Sequence, residues 1–241
     1  MTTERLSAFR LYTAALKMIW TEKVHLLRLV SPILILALAY IAIPFSEMGL
    51  APVILLYILA IYCFAVSAVH IHVNIVEKRS FADSPIFVKP KATHFAYLGV
   101  LILFQIANGI FGQLAEIQMT SPFAEIFFAI IVVCISIYIV RFYFILPALT
   151  VGDRLSQMIE YTRGRLLRFY IAGILFLLTI IPVLTAAILS GVFFMNREDS
   201  SLGIAFIILI IMYSCFNVFI SVVYREFRDE WQVTSSVGTE S

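Results

Sequence analysis

Charged residues are scarce in this chain: 13% of its 241 positions are Asp, Glu, Lys or Arg, where a soluble domain carries roughly a quarter. With 62% hydrophobic residues and a mean hydropathy of +1.00, that shortage excludes a water-soluble globule, because no soluble core absorbs so much apolar surface. Cysteine is scarce as well. Cys63, Cys134 and Cys215 each stand alone in an apolar run, without a CxxC pair or a neighbouring histidine. They read as small buried hydrophobes, with neither a disulfide framework nor a metal implied. Catalytic signatures are missing too: there is no HExxH, no GxSxG, no Gly-rich phosphate loop, no pair of intramembrane aspartates and no Cys–His pair. The chain is therefore read as non-enzymatic, with no cofactor and no metal. No soluble basic domain is left over to hold a nucleic acid.

What the sequence has in quantity is long apolar runs. A transmembrane helix needs about 20 apolar residues to cross about 30 Å of hydrocarbon. Six runs meet that length, at about 29–46, 52–76, 95–115, 123–148, 169–194 and 202–224. The expected fold class is all-α: a polytopic membrane protein with one helical membrane domain over 1–226 and a disordered polar tail over 227–241. Charge then orients it. Sixteen of the 17 Lys and Arg residues fall on one side of the six-run pattern, Arg197 being the exception. Because basic residues are retained in short cytoplasmic loops, both termini are expected in the cytoplasm. Charges from Glu4 to Arg28 interrupt any short apolar leader, so the first span is expected to be retained.

Two segments are too charged to span and too periodic for loops. In 4–25, Leu6, Phe9, Thr13, Leu16 and Trp20 recur at helical spacing while Arg10 and Lys17 share another face. In 153–168, Asp153 is the expected N-cap, and Leu155, Met158, Ile159, Thr162 and Leu166 form a stripe opposite Arg154, Glu160 and Arg163. Such helices lie in the headgroup plane, so both are expected on the cytoplasmic leaflet as interfacial amphipathic helices. Arg10, Lys17, Arg154, Arg163, Arg165 and Arg168 are their candidate contacts to anionic phospholipid. The segments also resemble each other: Met18-Ile19 recurs as Met158-Ile159 and Leu26-Leu27-Arg28 as Leu166-Leu167-Arg168, both at an offset of 140. Either the chain holds a parallel internal repeat, extending to Cys63-Phe64 and Cys215-Phe216, or two unrelated entry helices share one job.

Arg141-Phe-Tyr-Phe-Ile-Leu-Pro147, running on to Gly152-Asp153, followed by Thr162-Arg163-Gly164-Arg165-Leu-Leu-Arg168, resembles the core pattern of a broad group of bacterial six-span proteins. That group includes the YciC-like inner-membrane proteins and the membrane domain joined to some glycerophosphoryl diester phosphodiesterases. Val69-His70-Ile-His72, continuing to Glu77-Lys78-Arg79, resembles a span end in alphaproteobacterial relatives, with Val76-Glu77 where those carry Gly-Glu. The resemblance implies a multi-pass protein of the bacterial cytoplasmic membrane and a fold, but no activity.

Ionisable and polar groups within spans are expensive and mark sites by default. His70 and His72 lie near the cytoplasmic end of the second span, Arg141 near that of the fourth, and Glu125 at the outer start of the fourth. The second and fourth spans run in the same direction, so His70, His72, Asn74 and Arg141 are expected at similar depth, as one inner-leaflet pocket for a lipid headgroup. There the Arg141 guanidinium matches a phosphate; the alternative is that Arg141 snorkels and each histidine satisfies a carbonyl. Gln105, Asn108, Gln113, Ser136, Thr179, Thr185, Ser214, Asn217 and Ser221 read as helix-to-helix glue. Two functions follow. The first is a scaffold or accessory subunit of a membrane complex or of envelope homeostasis, packed on another integral membrane protein or on its own copies. The second is lipid or amphiphile binding or transport through the Arg141 pocket; the lack of a mid-span carboxylate argues against ion coupling.

Overall fold

A computed structural model of the chain describes residues 7–42, 50–86, 88–115, 126, 141, 143–194 and 198–238. Seven helices and no strand occur among the described residues: α1 (Ala8–Ala42), α2 (Leu50–Val76), α3 (Ala92–Ala115), α4 (Ile145–Val151), α5 (Leu155–Thr162), α6 (Leu166–Phe194) and α7 (Glu198–Gly238). Among the described residues, two stretches, Ile54–Val76 and Ile207–Ser236, are long and apolar enough to cross a membrane. A third joins them if α5 and Leu166–Pro182 of α6, bent by 79°, form one broken span. Against the six spans of the sequence reading, most of 123–148, including Glu125, Cys134 and Ser136, lies outside the described residues, as do Arg197 and the outer end of 29–46.

The segments expected as a first interfacial helix and a first span form one element. Nothing in His25–Leu29 breaks a helix, and α1 runs through it without interruption for 35 residues. Pro32, inside α1, has no N–H to give the Arg28 carbonyl. The Ser31 hydroxyl donates to that carbonyl at 2.7 Å instead. A second serine, Ser67, joins α1 to α2 by donating to the Leu29 carbonyl at 2.6 Å. The first turns of α1 are packed on the bundle: Leu11 and Ala15 are fully buried, and the Tyr12 and Thr179 hydroxyls are hydrogen-bonded at 2.8 Å. The expected stripe is divided: Phe9 and Trp20 are exposed, Thr13 is half-buried, Leu16 packs against the core, and Leu6 lies outside the described residues. Residues 8–25 are thus the first half of one long helix packed on the bundle rather than a separate element.

The second amphipathic segment is shorter and bent. Gly152 ends α4 at φ +78° and Gly164 follows α5 at φ +71°, a left-handed conformation that costs L side chains about 1–2 kcal/mol. First-copy Met18–Arg28 has no glycine at the matching place, which is why the two copies of the candidate repeat differ in shape. The expected N-cap is displaced by one residue. Arg154 caps α5, its N–H donating to Gln157 Oε1 at 2.8 Å, while Asp153 accepts from the Tyr224 hydroxyl at 2.6 Å and pairs with Arg228 at 3.3 Å. The expected apolar stripe is split as well: Met158 and Thr162 are buried with Tyr161, whereas Leu155 and Ile159 are exposed.

Helix α7 continues through Gly238, over residues expected to be a disordered tail. Tyr224, Phe227 and Trp231 extend its apolar face at spacings of three and four, and Tyr161 lies against both Tyr224 and Trp231 with ring centroids at 5.9 and 5.1 Å. Arg165 and Arg168 both reach Glu230. The main core is aromatic, with Phe176 stacked on Phe219 at 4.7 Å and Phe144 edge-on to Phe169 at 4.9 Å. Helix α7 is its axis, packed along α1 and against α2, α5 and α6, while α4 sits against α2 and α3.

Candidate functional site

The C-terminus of α2 folds its connection back over itself. Lys78 adopts φ +55°, the Lys78 N–H reaches the Ile75 carbonyl, and the Arg79 N–H donates to the Asn74 carbonyl at 2.8 Å. This is a Schellman turn with lysine in the place usually held by glycine. The returning connection is fastened from α1: Arg28 Nη2 donates to the carbonyls of Phe81, Ala82 and Ser84 at 2.8, 2.8 and 3.0 Å. Asn74 Nδ2 fastens it from α2, donating to Ser84 Oγ at 2.5 Å. Replacing Arg28 by methionine keeps an unbranched stem and removes the donors. It is expected to ease opening of the connection by about 1 kcal/mol, or about fivefold in cleavage by trypsin after Arg79 or Lys91. Wild-type cleavage kinetics in Arg28→Met would refute the clamp.

Between this connection, α2, the start of α3 and α4 lies a cavity of about 620 Å³. From α2 it is lined by Val69, His70, Val73, Asn74 and Glu77; from the connection by Arg79, Ser80, Asp83, Ser84, Pro85 and Val88; and beyond it by Lys91, Thr93, His94 and Thr150. His70, Asn74 and Glu77 share one helical face by their spacing of four and three. His70 Nε2 is buried with no hydrogen-bond partner, an uncommon state for a buried polar atom. His94 is buried too. Its Nδ1 accepts the Lys91 N–H at 3.1 Å, a reach back from the third helical residue to the cap, which places the ring proton on Nε2. Burial, then the Lys91 charge, lowers the His94 pKa below the ordinary histidine value, so the ring is neutral at pH 7.

Of the four residues expected in one pocket, the cavity takes His70 and Asn74. Arg141 does not line it; the guanidinium is half-buried, its Nε has no partner, and most of the chain before it lies outside the described residues. His72 is also elsewhere, because two residues along a helix rotate a side chain by about 200°. It is fully buried between three helices, with Nδ1 2.6 Å from Ser221 Oγ of α7 and Nε2 3.1 Å from the Tyr97 hydroxyl of α3. Proton supply settles the tautomer. Ser221 spends its only proton on the Asn217 carbonyl at 2.6 Å, so His72 Nδ1–H donates to Ser221 and Nε2 accepts from Tyr97. Asn217 Oδ1, 3.4 Å away, is the longer alternative for the Tyr97 proton.

The other polar residues have helix-joining or local roles where they are described. Thr179 meets Tyr12, Ser214 donates to its own helix at Ile210, and Thr185 does the same at Ile181. Gln105, Asn108 and Gln113 lie on α3, their side chains outside the described residues. Among the candidate lipid-binding cations, Arg10, Lys17, Arg154 and Arg163 are exposed, whereas Arg165 and Arg168 are half-buried and paired with Glu230. Glu77, Arg79, Asp83, Lys91 and His94 were missed as site residues. The sequence signal available was a cluster of both charge signs next to His70, which the topology count absorbed as loop charge.

A second cavity, of about 720 Å³, is lined by apolar side chains and by Tyr57 and Tyr213 from α1, α2, α3 and α7. It offers no charged group to a ligand among the described residues. Comparisons of this chain with protein-family models, with curated proteins and with solved structures return no match.

Proposed function

We propose that this chain is a non-enzymatic multi-pass protein of the bacterial cytoplasmic membrane that holds the polar head of a membrane amphiphile in the cavity beside His70. The observation that carries this reading is His70, which lines a 620 Å³ cavity and whose Nε2 is buried with no hydrogen-bond partner, since an orphaned buried nitrogen is a group still to be satisfied. The volume lies in the range of small-molecule sites, about 300–1,000 Å³. In the orientation taken from the basic residues, the cavity faces the cytoplasmic leaflet, both termini are cytoplasmic, and the chain is a six-span relative of the YciC-like group. Of the two functions expected from sequence, the cavity favours amphiphile binding, with His70 and Asn74 retained and Arg141 set aside.

The accessory-subunit reading draws on an exposed apolar stripe along α1, Trp20, Val24, Leu27, Ile35 and Leu38. Acyl chains cover such a stripe as readily as a partner does, and the stripe gives no reason for the cavity. The test is native mass spectrometry of protein released from mild detergent, wild type beside His70→Leu, which keeps the apolar volume. An amphiphile adduct present in the wild type and absent from an equally thermostable His70→Leu protein is the expected result. An adduct retained in the variant, or a stoichiometric protein partner in its place, would overturn the reading.

A further inference from the structure

Resting on the cavity as a headgroup site, we infer that its ligand is a zwitterion, an aminoalkyl phosphate carrying one primary ammonium and one phosphate. The reason is charge balance. The lining holds two carboxylates, Glu77 and Asp83, and two cations, Arg79 and Lys91. Glu77 and Arg79 pair with each other. Asp83 and Lys91 have no ion-pair partner among the described residues. The cavity therefore presents one unpaired charge of each sign, next to a neutral His94 and an unsatisfied His70.

An anionic head would meet Lys91 favourably and Asp83 unfavourably, the Glu77–Arg79 pair being neutral overall. A zwitterion satisfies both: its ammonium faces Asp83 and its phosphate faces Lys91 and the ring N–H of His94, each as a charge-assisted hydrogen bond. The ammonium is primary rather than trimethylated. A quaternary ammonium has no N–H and is held by an aromatic cage, and no Phe, Tyr or Trp lines this cavity among the described residues. The ligand thus differs from the anionic lipid that Arg141 suggests from sequence.

The chemistry is shared by phosphatidylethanolamine in the bilayer and by free phosphoethanolamine, and a competition experiment separates them. Delipidated full-length protein is presented with phosphatidylethanolamine, phosphatidylglycerol and phosphatidylcholine in equal amounts, then separately with phosphoethanolamine, and adducts are read by native mass spectrometry. Asp83 and Lys91 are exposed side chains, so their variants are suited to the comparison with wild type. Phosphatidylethanolamine is expected to exceed both other lipids in the wild type. Asp83→Asn should lower its ratio to phosphatidylglycerol about fivefold, and Lys91→Ala should lower both adducts by a similar factor. A phosphoethanolamine adduct that equals or replaces the lipid one assigns the same chemistry to a water-soluble source. Wild-type preference for phosphatidylglycerol or phosphatidylcholine, or a ratio unmoved by Asp83→Asn, overturns the inference. If the preferred phosphatidylglycerol adduct is still lost in His70→Leu, the headgroup site stands without it; an adduct indifferent to His70 removes both.

Discussion

Replacing His72 with alanine is expected to lower stability by about 3 kcal/mol, a fall in thermal midpoint on the order of 8 °C for a domain of this size. Most of that loss comes from the hole. The ring is fully buried where α2, α3 and α7 meet, and large-to-small replacement in a core costs about 2–5 kcal/mol because neighbours close the space only in part. The hydrogen-bond share is smaller. Side-chain bonds between helices in a membrane are worth about 0.6 kcal/mol on average, and Tyr97 keeps Asn217 Oδ1 within 3.4 Å as another acceptor. The two contributions separate by choice of variant. Ser221→Ala removes two bonds, the one accepted from His72 and the one donated to the Asn217 carbonyl, with little volume, and should cost about 1 kcal/mol. His72→Phe fills the space but removes both ring hydrogen bonds and leaves Tyr97 only the longer bond to Asn217 Oδ1, so it should fall between the two. Thermal unfolding in a single detergent, followed by the monodisperse fraction, measures all three. A His72→Ala protein that melts with the wild type would mean that the three helices do not depend on this joint.

That joint also marks where sequence reasoning stops. His70, His72 and Asn74 were legible as polar residues near a span end, and their shared depth was read as one pocket although a two-residue step along a helix turns His72 away from the other two. Their partners were not legible. Ser221 lies 149 positions from His72, and Arg28 lies 53 positions from the Phe81 carbonyl that it holds. Local periodicity carries no information about which helices will be neighbours at such separations. The 77–91 connection suffered for a different reason. Its charges have a topological meaning that accounts for them fully, so their second use as a cavity lining leaves no residue unexplained in the sequence. Helix ends failed through an assumption about solvent. The stretch after Tyr224 looks polar by composition, yet Tyr224, Phe227 and Trp231 keep a helical stripe running, and Glu230 has two arginines waiting on α6 and the turn before it. Likewise His25–Leu29 was treated as a boundary because charge ends there, although nothing in its backbone chemistry ends a helix.

The C-terminal extension supplies the second large expected effect. Glu230→Ala should destabilise the packed end of α7 by about 2 kcal/mol, between the 0–1 kcal/mol of an exposed pair and the 3–5 kcal/mol of breaking a buried one. The intermediate value follows from exposure. Glu230 is 17% exposed, with Arg165 at 12% and Arg168 at 23%, and both arginines approach its Oε2, at 3.3 and 3.2 Å. Removing the carboxylate leaves two neighbouring guanidiniums partly dehydrated without their shared counter-charge. Arg165 retains the Tyr161 carbonyl at 2.7 Å, which limits the loss. Asp229 is the internal control: its pair with Lys78 is 41% and 63% exposed, so Asp229→Ala should change stability by less than about 0.5 kcal/mol. Hydrogen exchange over residues 225–236 resolves the pair of predictions, because loss of the Glu230 contacts frees the last turns of α7 before the rest of the bundle. Faster exchange in Glu230→Ala and unchanged exchange in Asp229→Ala is the expected pattern. Equal exchange in the two variants would place the hold on this segment in the Tyr161, Tyr224 and Trp231 rings alone.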